Sequence, residues 1–214
     1  MADEATRCNQ AAYDQIAGRY AAHRPDPGRS FPDLRAAFAA RLPRVADVAD
    51  LACGPGHDGA WFARAGHRVI GVDRSAGMLA YAARALPGRV VRGDLRCLPL
   101  ASLSTDGIWC CAALLHVPHD QTMDALGEMR RILRPGGCFA LVTAAGSGAR
   151  LEPVPYAPDT RRWFFYREPA GLGEQLLNAG FEILAMTEEV TNRHWLKILA
   201  QPAQDVRAIP GLPK

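Results

Sequence analysis

No window of this sequence approaches the roughly 18 consecutive apolar residues that a membrane span needs. The first residues, Met1-Ala2-Asp3-Glu4, carry acids and lack the apolar region of a signal peptide. Charge of one sign is scarce as well. The net charge is +3 over 214 residues, and the arginines are scattered apart from the pairs Arg130-Arg131 and Arg161-Arg162. With no long basic stripe to meet a phosphate backbone, nucleic acid is not an expected partner. The six cysteines, Cys8, Cys53, Cys97, Cys110, Cys111 and Cys138, form no CxxC pair and no short-range disulfide pattern. Several sit in apolar runs, where free cysteine behaves as a small hydrophobe, so a reducing cytoplasm is the expected location. There is no zinc-type cysteine set, no GxSxG elbow and no GxxxxGK[ST] loop. Zinc-finger, serine hydrolase and P-loop readings therefore have no support.

What is present reads as an ordinary globular chain, 49% hydrophobic and 22% charged. Its length predicts one domain. Residues 1–42 read as a helical cap, 43–200 as the core and 201–214 as a loose tail. Helices are expected over 8–22 and 31–41, separated by the break Arg24-Pro25-Asp26-Pro27-Gly28. Strands at 45–52, 68–73, 89–92, 106–113 and 138–144 then alternate with helices at 57–65, 75–86 and 119–133. Such alternation means a parallel sheet covered on both faces, an α/β fold. Residues 145–169, with four prolines and the cluster Trp163-Phe164-Phe165-Tyr166, read as a long irregular lid. A helix at 171–179 and an antiparallel strand pair at 181–190 and 195–200 complete the core.

The most informative segment is Asp50-Leu51-Ala52-Cys53-Gly54-Pro55-Gly56. An apolar strand stops at two glycines and a helix follows at once. Gly54 and Gly56 can adopt positive φ and allow close backbone approach. The helix behind them points free N–H groups at whatever sits there. The second strand ends in Asp73, about twenty residues after the first glycine, where βαβ nucleoside sites place a carboxylate for ribose hydroxyls. Gly54-Pro55-Gly56-His57-Asp58-Gly59 also spells GxGxxG, the dinucleotide fingerprint. Three features weigh against NAD: Pro55 between the glycines, Asp50 before them, and a second strand-end acid in Gly93-Asp94-Leu95. Two such acids suit a nucleoside held at both ends, with Asp73 on the ribose and Asp94 and the Leu95 N–H on an adenine.

These motifs, together with Leu133-Arg134-Pro135-Gly136-Gly137, resemble the class I S-adenosylmethionine-dependent methyltransferases of the small single-domain kind. Ala52 stands where that family more usually has glycine. The resemblance implies a doubly wound, Rossmann-like sheet of seven strands in order 3-2-1-4-5-7-6, the seventh antiparallel, under an N-terminal helical cap. It implies S-adenosyl-L-methionine as cofactor, S-adenosyl-L-homocysteine as product, and a small-molecule acceptor methylated on O, N or C. A protein that binds the cofactor without transferring methyl, or an NAD-type oxidoreductase, are the alternatives. The implied cofactor residues are Asp50, Cys53, Gly54, Gly56, Asp73, Arg74, Met78, Gly93, Asp94, Leu95, Cys110 and Cys111. Tyr13 and Tyr20 join them from a helix that folds over the cofactor. Asp50 either orients the glycine loop or meets the methionine amine. The thiols of Cys53 and Cys110 are expected to be inert. His116, just past the fourth strand, is the candidate general base. With His119 it spells His-x-x-His, but no third ligand is evident and no metal is expected. Monomer and homodimer both remain open.

Overall fold

The structure is a computed structural model that describes residues 2–23 and 31–204. The helices are α1 (Ala2–His23), α2 (Pro32–Ala39), α3 (His57–Arg64), α4 (Ala76–Ala85), α5 (Thr122–Ile132) and α6 (Pro169–Asn178). The strands are β1 (Asp47–Leu51), β2 (Arg68–Asp73), β3 (Val90–Arg92), β4 (Thr105–Cys111), β5 (Leu133–Ala144), β6 (Ala149–Val154), β7 (Ala157–Phe165), β8 (Phe181–Val190) and β9 (His194–Pro202).

Seven strands form one sheet in the order β3-β2-β1-β4-β5-β9-β8. The first five are parallel, and β9 runs antiparallel to both β5 and β8. Counted along the sheet strands, this is the expected order, with the last strand reversed. Strand β4 shows why the interior strands are apolar throughout. Ile108 and Cys110 face one core with Leu126, Met129 and Ile132 of α5 and Leu172 and Leu176 of α6. Trp109 faces the other core with Phe38 of α2 and Phe62 of α3. A strand buried on both faces cannot alternate apolar with polar. The three rings meet at centroid distances of 5.4 to 5.5 Å.

Helix α1 is locked against α4, at the start of which the candidate site begins. Asp14 Oδ1 accepts hydrogen bonds from Ser75 Oγ at 2.6 Å and Gly77 N at 2.9 Å. Gly77 permits this approach, because a Cβ there would lie 2.9 Å from the Asp14 carbonyl oxygen. Ile16 and Ala17 of α1 pack with Met78, Val154 and Ala157.

The expected lid is the main correction. Residues 149–165 are not irregular but form the antiparallel hairpin β6–β7, a separate two-stranded sheet. Pro153, Pro155 and Pro158 suggested a loop, yet proline is tolerated in a ribbon whose outer edges need no donor. The aromatic cluster is a strand end, with Trp163 and Phe165 stacked on one side and Phe164 buried on the other. Smaller shifts are local. Helix α5 begins at Thr122, after a 3₁₀ turn over His119–Gln121. Strand β5 begins at Leu133, which pairs with Thr105 before 134–137 loop out and Cys138 pairs with Gly107. Strand β9 runs on to Pro202, opposite Phe181. The 24–28 break and residues 205–214 of the expected tail lie outside the described residues.

Candidate active site

A cleft crosses the carboxyl ends of β1 to β4, where strand order reverses between β1 and β4. Open αβ sheets gather ligands at such a point. The cleft holds about 870 Å³ of empty space, solvent at its mouth included, which is ample for a nucleoside-sized ligand.

Its floor is the turn after β1. Gly54 and Gly56 have φ of 53° and 84°, and Ala52 has φ of 52°. The turn is closed by Gly56 N donating to the Cys53 carbonyl at 2.9 Å, and anchored to β2 by Cys53 N donating to the Val72 carbonyl at 3.0 Å. Gly56 leaves little room for a side chain: at its positive φ a Cβ would be strained and would meet Ala82 Cα of α4 at 3.1 Å. The third glycine of the fingerprint serves the protein itself. Gly59 N donates to Asp50 Oδ2 at 2.8 Å, and a Cβ on Gly59 would lie 2.9 Å from that same oxygen. Asp50 is buried, and burial followed by the Asp58 charge pushes its pKa well up. It fixes the start of α3 behind the turn and does not line the cleft.

Asp73 stands at the end of β2. Its Oδ2 accepts from Gly54 N and its Oδ1 from Ser75 N, each at 2.8 Å. Burial raises its pKa, against these hydrogen bonds and one from the Arg74 backbone. Asp94 is different. Its Oδ1 accepts from Arg96 N and Arg96 Nε, both at 2.9 Å, and its Oδ2 from Arg96 Nη2 at 2.6 Å and from Arg74 Nη1. Burial works against ionisation here, but the Arg96 hydrogen bonds and the Arg96 and Arg74 charges hold the carboxyl below the usual range. Arg74 is steadied by Gln10 of α1 through its Nε at 2.9 Å.

At the β4 end, α1 and β7 close over His116. A carbonyl only accepts, so the 2.8 Å contact with the Trp163 carbonyl puts a proton on His116 Nδ1. Its Nε2 is then the acceptor for Tyr13 Oη at 2.6 Å. Tyr13 Oη in turn accepts from Arg162 Nη1 at 2.8 Å. Although part of the ring faces the cleft, both nitrogens are occupied. Burial, with the Arg162 and Arg193 charges, lowers the His116 pKa to about 3 despite the Trp163 hydrogen bond. The expectation of a general base at His116 does not fit this geometry: no lone pair is free. His116 instead ties the turn after β4 to α1 and β7. His119 donates from Nε2 to the Tyr166 carbonyl at 2.9 Å, so the two histidines serve different carbonyls.

Of the expected cofactor residues, Tyr13, Tyr20, Gly54, Asp73, Arg74, Met78, Gly93, Asp94, Leu95 and Cys111 line the cleft together with His116. Asp50, Cys53, Gly56 and Cys110 lie behind it. Burial pushes up the thiols of Cys53 and Cys110, the latter to about 12. Sequence reasoning missed Thr6, Asn9, Gln10, Ser75 and Arg96. Thr6, Asn9 and Gln10 share a helix face with Tyr13, a signal that spacing alone could have raised. Ser75 was readable as an N-cap, and its Oγ accepts from Met78 N at 3.0 Å.

Comparison with known proteins now bears on the site. Residues 48–137 match the family described as a methyltransferase domain. That span holds β1 through the start of β5 and with them both strand-end acids. The malonyl-[acyl-carrier protein] O-methyltransferase of Enterobacter lignolyticus is 38% identical over 136 residues, which are 63% of this chain and 53% of that one. Residues 48–137 thus form a methyltransferase domain, and the chain is similar to class I S-adenosylmethionine-dependent methyltransferases. The trans-aconitate 2-methyltransferase of Azoarcus sp. is 40% identical over 107 residues, 48% of this chain and 41% of that one. The chain spans about half the length of the curated relatives it matches. Among solved structures, 1,6-didemethyltoxoflavin-N1-methyltransferase of Burkholderia thailandensis, with its substrate and S-adenosylhomocysteine bound, shares the fold. The TM-score is 0.76 at 23% identity, covering 95% of this chain and 91% of that one.

The family's cofactor is S-adenosyl-L-methionine, and the cleft fits it. Three backbone N–H groups hold Asp73, while a carboxylate offers about four acceptor positions. Capacity remains for a hydroxyl donor. The buried Met78 and Val72 give apolar walls beside it.

Proposed function

We propose that this chain transfers the sulfonium methyl group of S-adenosyl-L-methionine to an oxygen, nitrogen or carbon nucleophile of a small molecule, by in-line displacement. The observation that carries this reading is Asp73. It holds the Gly54 turn at 2.8 Å and lines a nucleoside-sized cleft. In this reading Asp73 takes the ribose hydroxyls. The segment from Gly93 to Leu95 takes the adenine, and Ala52 to Gly54 flank the methionine portion. Met78 packs against the nucleoside, and Tyr13 and Tyr20 cover it from α1. Asp50 acts from behind by fixing the turn.

When bound, the cofactor supplies a methyl group on positively charged sulfur, an excellent leaving group. The protein is left chiefly with alignment and exclusion of water, which alone can account for much of the rate. The acceptor then lies at the β4 end, beneath α1 and β7. A relative named for a carrier-linked malonyl group supports an acceptor that can also arrive attached to a carrier.

Calorimetric titration with S-adenosylmethionine, S-adenosylhomocysteine and NAD tests the reading. Micromolar binding of the first two and none of the third is expected. Binding of NAD alone would overturn it.

A further inference from the structure

We propose that the ring of Tyr20 holds the positively charged sulfur of S-adenosyl-L-methionine by a cation–π contact, and so sets the preference of the cleft for this cofactor over its neutral product S-adenosyl-L-homocysteine. The proposal rests on the methyl-transfer reading above and gives one residue the choice between the two forms of the cofactor.

Methyl transfer changes the charge at a single atom. The sulfur is a cation before transfer and a neutral thioether after it, while the nucleoside and amino-acid ends stay the same. A site that distinguishes the two forms must do so at the sulfur. In the reading above, the sulfur lies beyond the ribose, beside the glycine turn that follows β1.

Few groups there can meet a cation. Among the described residues, the acids lining the cleft are Asp73 and Asp94, at the ends of β2 and β3. The first is given to the ribose, and the second carries Arg74 and Arg96. Asp50 lies behind the turn with Oδ2 on Gly59 N at 2.8 Å, and burial resists its ionisation. The wall after β4 holds the uncharged Ala112, Ala113 and Val117. Tyr20 borders the turn itself. Its Cε1 stands 3.9 Å from where a Cβ on Gly54 would lie, and the residue lines the cleft. The face of such a ring is its negative region, and a cation withdrawn from water onto that face is bound more tightly than a neutral group of the same shape.

Tyr13 also lines the cleft, but it is engaged elsewhere. Its hydroxyl donates to His116 Nε2 at 2.6 Å and accepts from Arg162 Nη1 at 2.8 Å. The Arg162 guanidinium also lies 5.1 Å from its ring centroid. A ring that already faces one cation has little attraction left for a second. Tyr13 instead meets Tyr20 edge to face, with centroids 6.0 Å apart and planes at 73°. That contact steadies the Tyr20 ring. Asp14, between them on α1, pins the helix to Ser75 Oγ and Gly77 N. The ring is therefore in place before the ligand arrives. Because it acts on a charge that transfer removes, it favours cofactor binding and product release rather than the chemical step.

The test is calorimetric titration of the full chain with S-adenosylmethionine and S-adenosylhomocysteine, read as the ratio of the two dissociation constants. Tyr20→Leu should weaken S-adenosylmethionine by about tenfold and S-adenosylhomocysteine by less than about threefold. Tyr20→Phe keeps the ring face and should hold the parental ratio. Phenylalanines bearing one, two and three fluorines, placed at position 20, keep the ring's shape while draining its face. They should weaken S-adenosylmethionine stepwise and leave S-adenosylhomocysteine unchanged. This series hardly alters packing, so it decides the matter should Tyr20→Leu fail to fold. Equal loss of both ligands in folded Tyr20→Leu would reduce Tyr20 to a cover and overturn the proposal. So would a flat fluorine series, or a Tyr20→Phe variant that loses as much as Tyr20→Leu. Failure of the parent to bind either ligand would instead overturn the underlying methyl-transfer reading.

Discussion

Asp73 Oδ2 accepts the Gly54 N–H at 2.8 Å, so the end of β2 holds the turn that follows β1. The same carboxylate takes the Ser75 N–H at 2.8 Å at the start of α4. One side chain thus sets the spacing of two neighbouring βα turns and faces the cleft between them.

Asp73→Ala should cut S-adenosylmethionine affinity by about 100-fold, from lost charge-assisted hydrogen bonds. It should also lower stability by about 1–2 kcal/mol, because the Gly54 and Ser75 N–H groups lose their acceptor. Titration of the folded variant checks the first effect and urea unfolding the second. Because burial raises the Asp73 pKa, affinity for the parent should begin to fall at a pH above the ordinary carboxylate range. Near-parental affinity in folded Asp73→Ala would remove Asp73 from the site.

The two arginines on Asp94 lead to a second expectation. Its four acceptor positions are all in use, one of them by Arg74. An adenine amine reaches Asp94 only if Arg74 yields. Arg74→Ala should therefore leave cofactor affinity unchanged or several-fold tighter, while Asp94→Ala should weaken it about tenfold. A large loss in Arg74→Ala would mean that Arg74 itself holds the ligand.

His116 should make stability depend on pH. The unfolded imidazole takes a proton near 6.5, whereas the folded ring resists down to about 3. Between those values the unfolded chain binds more protons. The stability that the neutral ring contributes is present above 6.5 and lost as pH falls toward 3. Replacing the ring by His116→Gln should flatten the decline of the urea midpoint between pH 7 and pH 5. Parallel curves for parent and variant would contradict the buried neutral imidazole.

Ala52 holds a left-handed φ of 52° where a glycine would be unstrained. Ala52→Gly should stabilise the protein by about 0.5–1 kcal/mol, after the extra entropy of glycine in the unfolded chain is deducted. For a domain of this size that is roughly 2 °C in Tm. The opposite is expected at Gly59, where a Cβ would lie 2.8 Å from Leu86 Cδ1 and 2.9 Å from Asp50 Oδ2. Gly59→Ala should cost about 1–3 kcal/mol by overpacking. Thermal melts of the two variants should move in opposite directions.

The order of elements, the glycine turn after β1 and the two strand-end acids were legible in the sequence. Each is written in neighbouring residues: an apolar run has to be a buried strand, and a glycine must follow where the chain turns sharply toward a ligand. The seven-strand order came with the family resemblance, carried by motifs that sit at strand ends. Asp50 could be narrowed to two roles by its burial in an apolar strand. Only the tertiary structure put Gly59 N within 2.8 Å of its Oδ2, behind the turn.

The enclosure of His116 at the β4 end was decided by tertiary structure alone. Trp163, Arg162, Asn9, Tyr13 and His116 come from three segments up to 154 residues apart, and no local pattern links them. The hairpin of β6 and β7 was hidden because its prolines carry the same local signal as a loop. Whether they break a strand depends on which edge lacks a neighbour. The protonation of His116 likewise depends on what encloses it. As an isolated residue it is a base near neutrality, and between a phenol and a carbonyl it is a neutral strut.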